Sequence, residues 1–148
     1  MTLRRSTAAF FIFGALAAGS SVALAAYATH ALLESQGMPF ERVRTFLDAT
    51  EFQFNQGIGI LVIAVVGQLM ADGWTRRIVQ LSGVLACASI LLFPISVYNS
   101  VLGGSAALAP IGGTSSMLGW ALFAVAGAIG LFRGELKLPA SGHPQPAE

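Results

Sequence analysis

Charge is scarce in this sequence: only 10% of its 148 residues are Asp, Glu, Lys or Arg, against about 25% in an ordinary soluble domain. A chain of 15.4 kDa has too much surface to cover with so few charges, which excludes a water-soluble globule. The 55% hydrophobic content excludes disorder, which needs low hydrophobicity and high net charge. A formal net charge of +1 supplies no field for nucleic acid, so no nucleic-acid partner is expected. Cysteine is scarcer still. Cys87 stands alone in an apolar run, so there is no internal disulfide and no cysteine metal cluster, and it reads as a packing residue.

Catalytic signatures are missing too. The sequence has no glycine-rich phosphate loop followed by Lys and Ser/Thr, no histidine pair at helical spacing, and no Gly-x-Ser-x-Gly elbow to accompany His30. No enzyme activity, catalytic residue, metal or cofactor is expected. His143 reads as a solvated residue of the tail.

What is abundant is long apolar sequence. A membrane-spanning helix needs about 20 such residues. One candidate runs from Thr7 to about Ala28 and a second from about Phe52 to Ala71, closed by Asp72. From Ile78 to Phe132 there is no charge; as one helix this stretch would reach roughly 80 Å, well over twice the hydrocarbon thickness. It must fold back, and breaks are expected at Gly103-Gly104-Ser105 and at Pro110-Ile111-Gly112-Gly113. The spans are then about 7–28, 52–71, 79–101 and 114–132, in a membrane domain over 1–133. The proline-bearing stretch 134–148 reads as a flexible cytoplasmic tail. The expected fold is all-α: an integral four-transmembrane-helix bundle whose environment is the lipid bilayer.

Arginines set the direction. Arg4 and Arg5 precede the first span, Arg76 and Arg77 separate the second and third, and Arg133 and Lys137 follow the fourth. The opposite side holds Arg42 and Arg44 among Glu34, Glu41, Asp48 and Glu51. The positive-inside rule puts both termini in the cytoplasm. A competing reading takes Arg4-Arg5, the first apolar run and Ala23-Leu24-Ala25 as a cleaved secretory signal, although the run is longer than a usual signal core. In the outer loop, His30 to about Glu51, Phe40, Val43, Phe46, Leu47 and Thr50 recur at helical spacing after Pro39. They predict a short amphipathic helix on the membrane surface; a polar loop packed on the bundle is the alternative.

Polar residues gather toward one leaflet. His30, Glu51, Gln53, Gln56, Tyr98 and Asn99 form a candidate outer-leaflet cluster, expensive in lipid unless paired. Gln53 and Gln56 share a helix face and turn toward the bundle, leaving Glu51 at the interface. Pro94, Pro110, Gly112, Gly113, Gly119 and Trp120 are candidate helix-break or packing residues, and the Trp120 indole N–H needs a partner in the bundle or on a neighbour. Small residues at spacing four, Ala15, Gly19 and Ala23, Gly83 and Cys87, Ala126 and Gly130, predict close helix approach. The cluster reads either as interhelical hydrogen bonding, as a ligand, ion or proton site, or as a docking surface.

These residues resemble a known family. Ala26-Tyr27-Ala28-Thr29-His30-Ala31-Leu32 is similar to the "GAFGAHAL" segment of the YgdD-like small bacterial inner-membrane proteins, and Glu51-Phe52-Gln53 to their "EYQ". Leu92-Phe93-Pro94-Ile95-Ser96-Val97-Tyr98 resembles "LFSGSLY", and Pro110-Ile111-Gly112-Gly113 with Gly119-Trp120-Ala121-Leu122 resembles "TPxGG…GWALM". The resemblance spans about Ala15 to Phe132. It implies a four-helix fold in the bacterial inner membrane and no assigned activity. Two departures stand out: Gln56 replaces a histidine usual in the family, and Pro94-Ile95 replaces Ser-Gly. The expected function is that of a structural or accessory membrane component that self-associates or docks on a larger complex. The alternatives are a minimal oligomeric transporter or channel for a small solute or proton, with Glu51 and His30 titrating, and a lipid- or quinone-binding protein.

Overall fold

The structure, a computed structural model, describes residues 4–71 and 73–133. The expected tail at 134–148, with Lys137 and His143, and the span-closing Asp72 lie outside them. Four helices run up and down: α1 (Arg5–Tyr27), α2 (Phe40–Leu69), α3 (Trp74–Val101) and α4 (Ala109–Arg133). All four are long and apolar enough to cross a membrane. α1 does not stop at the expected place, because a wider π-helical segment, Ala28–Ser35, carries it onward.

The separate amphipathic helix expected between the first two spans is instead the start of α2, which is unbroken for 30 residues. Between Phe40 and Leu69 there is no proline and the first glycine is Gly57, so nothing interrupts the helix at Glu51. Its buried face continues in register through Val43, Phe46, Thr50, Gln53, Gln56, Ile60 and Ala64. Glu41, Arg42, Arg44, Asp48 and Glu51 lie on the exposed side. The long loop expected between the first two spans thereby shrinks to residues 36–39. Gly37 makes that turn at φ +63°, a left-handed conformation that suits glycine.

The break between the last two spans also moves. It is confined to residues 102–108, and Pro110 through Gly113 belong to α4. Pro110 fits there because a first-turn residue needs no intrahelical N–H partner. α3 remains helical through Pro94 and closes in a Schellman turn. The Gly103 N–H donates to the Ser100 carbonyl at 3.1 Å and the Gly104 N–H to the Asn99 carbonyl at 2.8 Å, with Gly103 at φ +103°.

The helices meet at glycines. A Cβ at Gly57 would lie 2.8 Å from the Ala18 backbone nitrogen and 2.9 Å from the Gly14 carbonyl oxygen, so α1 and α2 touch backbone to backbone. α4 approaches α3 the same way at Gly112, where a Cβ would lie 2.7 Å from Phe93 Cβ. Trp120 covers Gly59 to join α4 to α2, and Phe10 covers Gly83 to join α1 to α3. The stripe Ala15, Gly19 and Ala23 faces outward; the packed positions are Gly14, Ala17, Ala18 and Ser21. Gly113 likewise meets open space, whereas Gly119 sits against the Ser82 carbonyl.

Two apolar cores result. Ile60, Ile63, Met70, Val79, Ala86 and Ala126 fill the half nearer the helix ends that carry Arg4, Arg5, Arg76, Arg77 and Arg133. Ala28, Leu32, Val43, Phe46, Ala49, Tyr98 and Val101 fill the opposite end. There the Arg42 guanidinium donates to the Val101 carbonyl, a cation on the electronegative C-terminus of α3.

Candidate functional site

Between these cores, α2 places two glutamines on its inward face, one turn apart. Gln53 is 5% exposed and Gln56 3%. The amide of Gln53 donates to the Ala17 carbonyl and to Ser20 Oγ, both at 2.9 Å, and its oxygen accepts the Tyr98 hydroxyl at 3.0 Å. The amide of Gln56 donates to Ser89 Oγ at 3.2 Å and to Ser116 Oγ, and its oxygen accepts the Trp120 indole N–H at 3.1 Å. Gln53 therefore ties α1, α2 and α3, and Gln56 ties α2, α3 and α4. Both N–H groups and the oxygen of each carboxamide are engaged.

The neighbours hold this arrangement. The Tyr98 ring stacks on Phe46 at 4.4 Å between centroids, which aims its hydroxyl back at Gln53. Ser89 Oγ also donates to the Ala86 carbonyl at 2.8 Å, and Ser115 Oγ reaches across from α4 to the Leu85 carbonyl at 2.9 Å. Beside Gln53 and Tyr98 an open groove of about 440 Å³ separates α1 from α3. Nearer the arginine end the polar complement is poorer: Ser82 Oγ and Thr75 Oγ1 are buried without a hydrogen-bond partner.

Of the six candidate cluster residues, the structure brings Gln53 and Tyr98 into contact and sets Gln56 one turn away. The other three lie apart from them. His30 is exposed on the π-helical segment, with Nδ1 2.9 Å from the Glu34 carboxylate. Glu51 faces outward. Asn99 is exposed and donates to the Ser105 carbonyl at 3.1 Å, bracing the α3–α4 turn. Ser20, Ser89 and Ser116 were not singled out from the sequence. Serine in an apolar helix usually bonds to its own backbone, so only the fold shows which ones face a glutamine. The Trp120 indole finds its partner inside the bundle, as Gln56.

The chemistry assembled here is that of carboxamides and hydroxyls in mutual hydrogen bonds. Among the described residues no group of three His, Cys, Asp or Glu is placed to hold a metal ion.

Comparison with known proteins places this arrangement in context. A family model described as "Protein of unknown function (DUF423)" matches residues 24–113, from the end of α1 to the first turn of α4. A "UPF0382 membrane protein" of Staphylococcus epidermidis (strain ATCC 12228 / FDA PCI 1200) is 30% identical over 123 residues, 79% of this chain and 93% of the relative. No solved structure matches. Four spanning-length helices and this bacterial relative make the chain a multi-pass membrane protein.

Proposed function

Because the chain belongs to the DUF423 family, a family of unknown function that corresponds to the YgdD-like proteins it resembles, we propose its role from its own geometry. It is a structural or accessory component of the bacterial inner membrane. It associates sideways with a second copy or a larger membrane complex, and both termini are cytoplasmic. No catalytic step belongs to this reading, since the buried polar groups of the glutamine network are engaged with one another.

The observation that supports it is the bare face of α1. Only 22% of the first spanning window is buried, against 44% for α2 and 39% for α3, with α4 nearly as bare at 28%. Ala15, Gly19 and Ala23 occupy that open side, where small residues let a partner helix approach closely. α1 is retained in this reading rather than cleaved as a signal. Its Gly14 and Ala18 form the crossing with α2, and its Ala17 carbonyl and Ser20 hydroxyl complete Gln53.

The test is purification from the native membrane in mild detergent, followed by identification of what stays bound. A homo-oligomer or stoichiometric partner subunits are expected, and Gly19→Ile releases them without unfolding the chain, because a Cβ there meets open space. A monomer with no partner, or association indifferent to Gly19→Ile, overturns the reading. Trp120 is unsuited to this test, since it is part of the internal network. The transporter reading draws no support from the arrangement, because Ile60, Ile63, Val79 and Ala126 fill the interior beyond Gln56.

A further inference from the structure

We propose that the groove between α1 and α3 seats one glycerolipid of the bilayer, with an ester carbonyl at Ser20 and the acyl chain lying toward Phe13. α1 and α3 touch near the arginine end, where Phe10 covers Gly83 and the Gln80 amide donates to Ser6 Oγ at 3.1 Å. Farther along they stand apart, and the space between them, about 440 Å³, falls within the roughly 300–1,000 Å³ typical of ligand pockets. It is floored by Gln53, walled by side chains including Leu16 and Ile95, and runs from Phe13 to Leu24, about 16 Å along the helix axis.

Three features select the occupant. No charged side chain lines the groove, so a phosphate or ammonium group finds no counter-ion there and a neutral linkage is favoured. The polar atoms lie in the half toward Tyr98, while Phe13 and Ile90 close the other end. That is the polarity of a lipid standing in the leaflet at the carboxylate-bearing end. Finally, the exposed Glu51 is too costly to hold among acyl chains, so on this proposal it marks the headgroup level, and Gln53 follows it by only about 3 Å along the helix. A glycerolipid already stands there with its ester group at that level and need not leave its place in the leaflet.

Ser20 is the donor that remains adjustable. It is exposed, it accepts one N–H from Gln53, and its own hydroxyl reaches the Ala17 carbonyl at 3.2 Å. Turning that hydroxyl to an ester carbonyl exchanges a long intrahelical bond for a linear one in an apolar setting. The Ala17 carbonyl keeps the Gln53 amide as a donor.

The test uses the full chain in bilayers of dioleoylphosphatidylcholine, or of its diether analogue, which lacks both ester carbonyls. Native mass spectrometry after release counts retained lipids. One diester lipid per chain is expected, with retention of the diether lower by about threefold to tenfold, the worth of one neutral hydrogen bond. Ser20→Ala lowers diester retention to the diether level. Leu16→Trp and Ile95→Trp fill the groove from its two walls and abolish retention. Both positions are exposed, at 68% and 50%, so circular dichroism of these variants stays that of the wild type, and each serves if the other fails to fold. No retained lipid, equal retention of diester and diether, or retention unchanged by both tryptophans overturns the proposal. Cross-linking of Ile95→Cys to a second copy would overturn it as well, by giving the groove to another chain.

Discussion

The two halves of the bundle are held by different means. Around Gln53 and Gln56, α1 and α4 are each tied to the two central helices by directed hydrogen bonds whose donors and acceptors match. Toward the arginine end, the helices rest mainly on Ile63, Val79, Ala86 and Ala126; the Gln80 amide still reaches Ser6, but two buried hydroxyls there have no partner. Lipid tails are as apolar as leucine, so burying Ile63 against a helix gains little over leaving it in the bilayer. The apolar half therefore supplies shape and close packing, and the glutamine half specifies which helix lies beside which.

This contrast can be attacked in order of expected effect. The largest follows from Gly57→Val, which drives a side chain into the backbone of α1. It should cost about 3 kcal/mol and part α1 from α2, read as a lower unfolding midpoint in mixed detergent micelles. Next is Gln56→Leu, which removes three interhelical hydrogen bonds and strands the Trp120 indole N–H. At about 0.6 kcal/mol per bond the loss is about 2 kcal/mol, accompanied by a changed Trp120 fluorescence; an unaltered midpoint would mean the network specifies nothing. Ser82→Ala works in the other direction. Its hydroxyl is buried without a partner, so its removal should stabilise the chain by about 1 kcal/mol, and a destabilised variant would show that the Ser82 hydroxyl does hold the arginine half together. The smallest effect is that of Tyr98→Phe, about 0.6 kcal/mol in the same unfolding assay, since only the bond to Gln53 is lost and the ring stays on Phe46.

Much of this was legible in residue order. Charge scarcity and apolar length give four spanning helices, and the spacing of Gln53 and Gln56 gives their shared inward face. The boundary of α2 was not legible, because hydropathy falls at Glu51 while helical periodicity does not. Lipid compatibility and helix continuation are separate properties, and only the second stops at a breaker. Pro110-Ile111-Gly112-Gly113 misleads for a related reason: residues that disrupt a helix interior are tolerated in its first turn, and Gly112 is there to let α4 reach Phe93. The stripe on α1 was displaced by one position, from Ala15 and Gly19 to Gly14 and Ala18, because both series repeat at the same interval. The serines that complete the glutamines depend on the rotation of three helices at once, which no single segment encodes.

The placement of the partners of Gln56 has a consequence for biogenesis. As the chain is made from its N-terminus, Gln53 can take the Ala17 carbonyl and Ser20 as soon as the first hairpin enters the bilayer. Gln56 cannot: Ser89, Ser116 and Trp120 arrive on the two later helices. Until they do, an unmatched carboxamide faces the acyl chains, a state that opposes release of the hairpin from the insertion machinery into open lipid. Gln56 is therefore expected to hold the first hairpin back from open lipid until the last helix arrives.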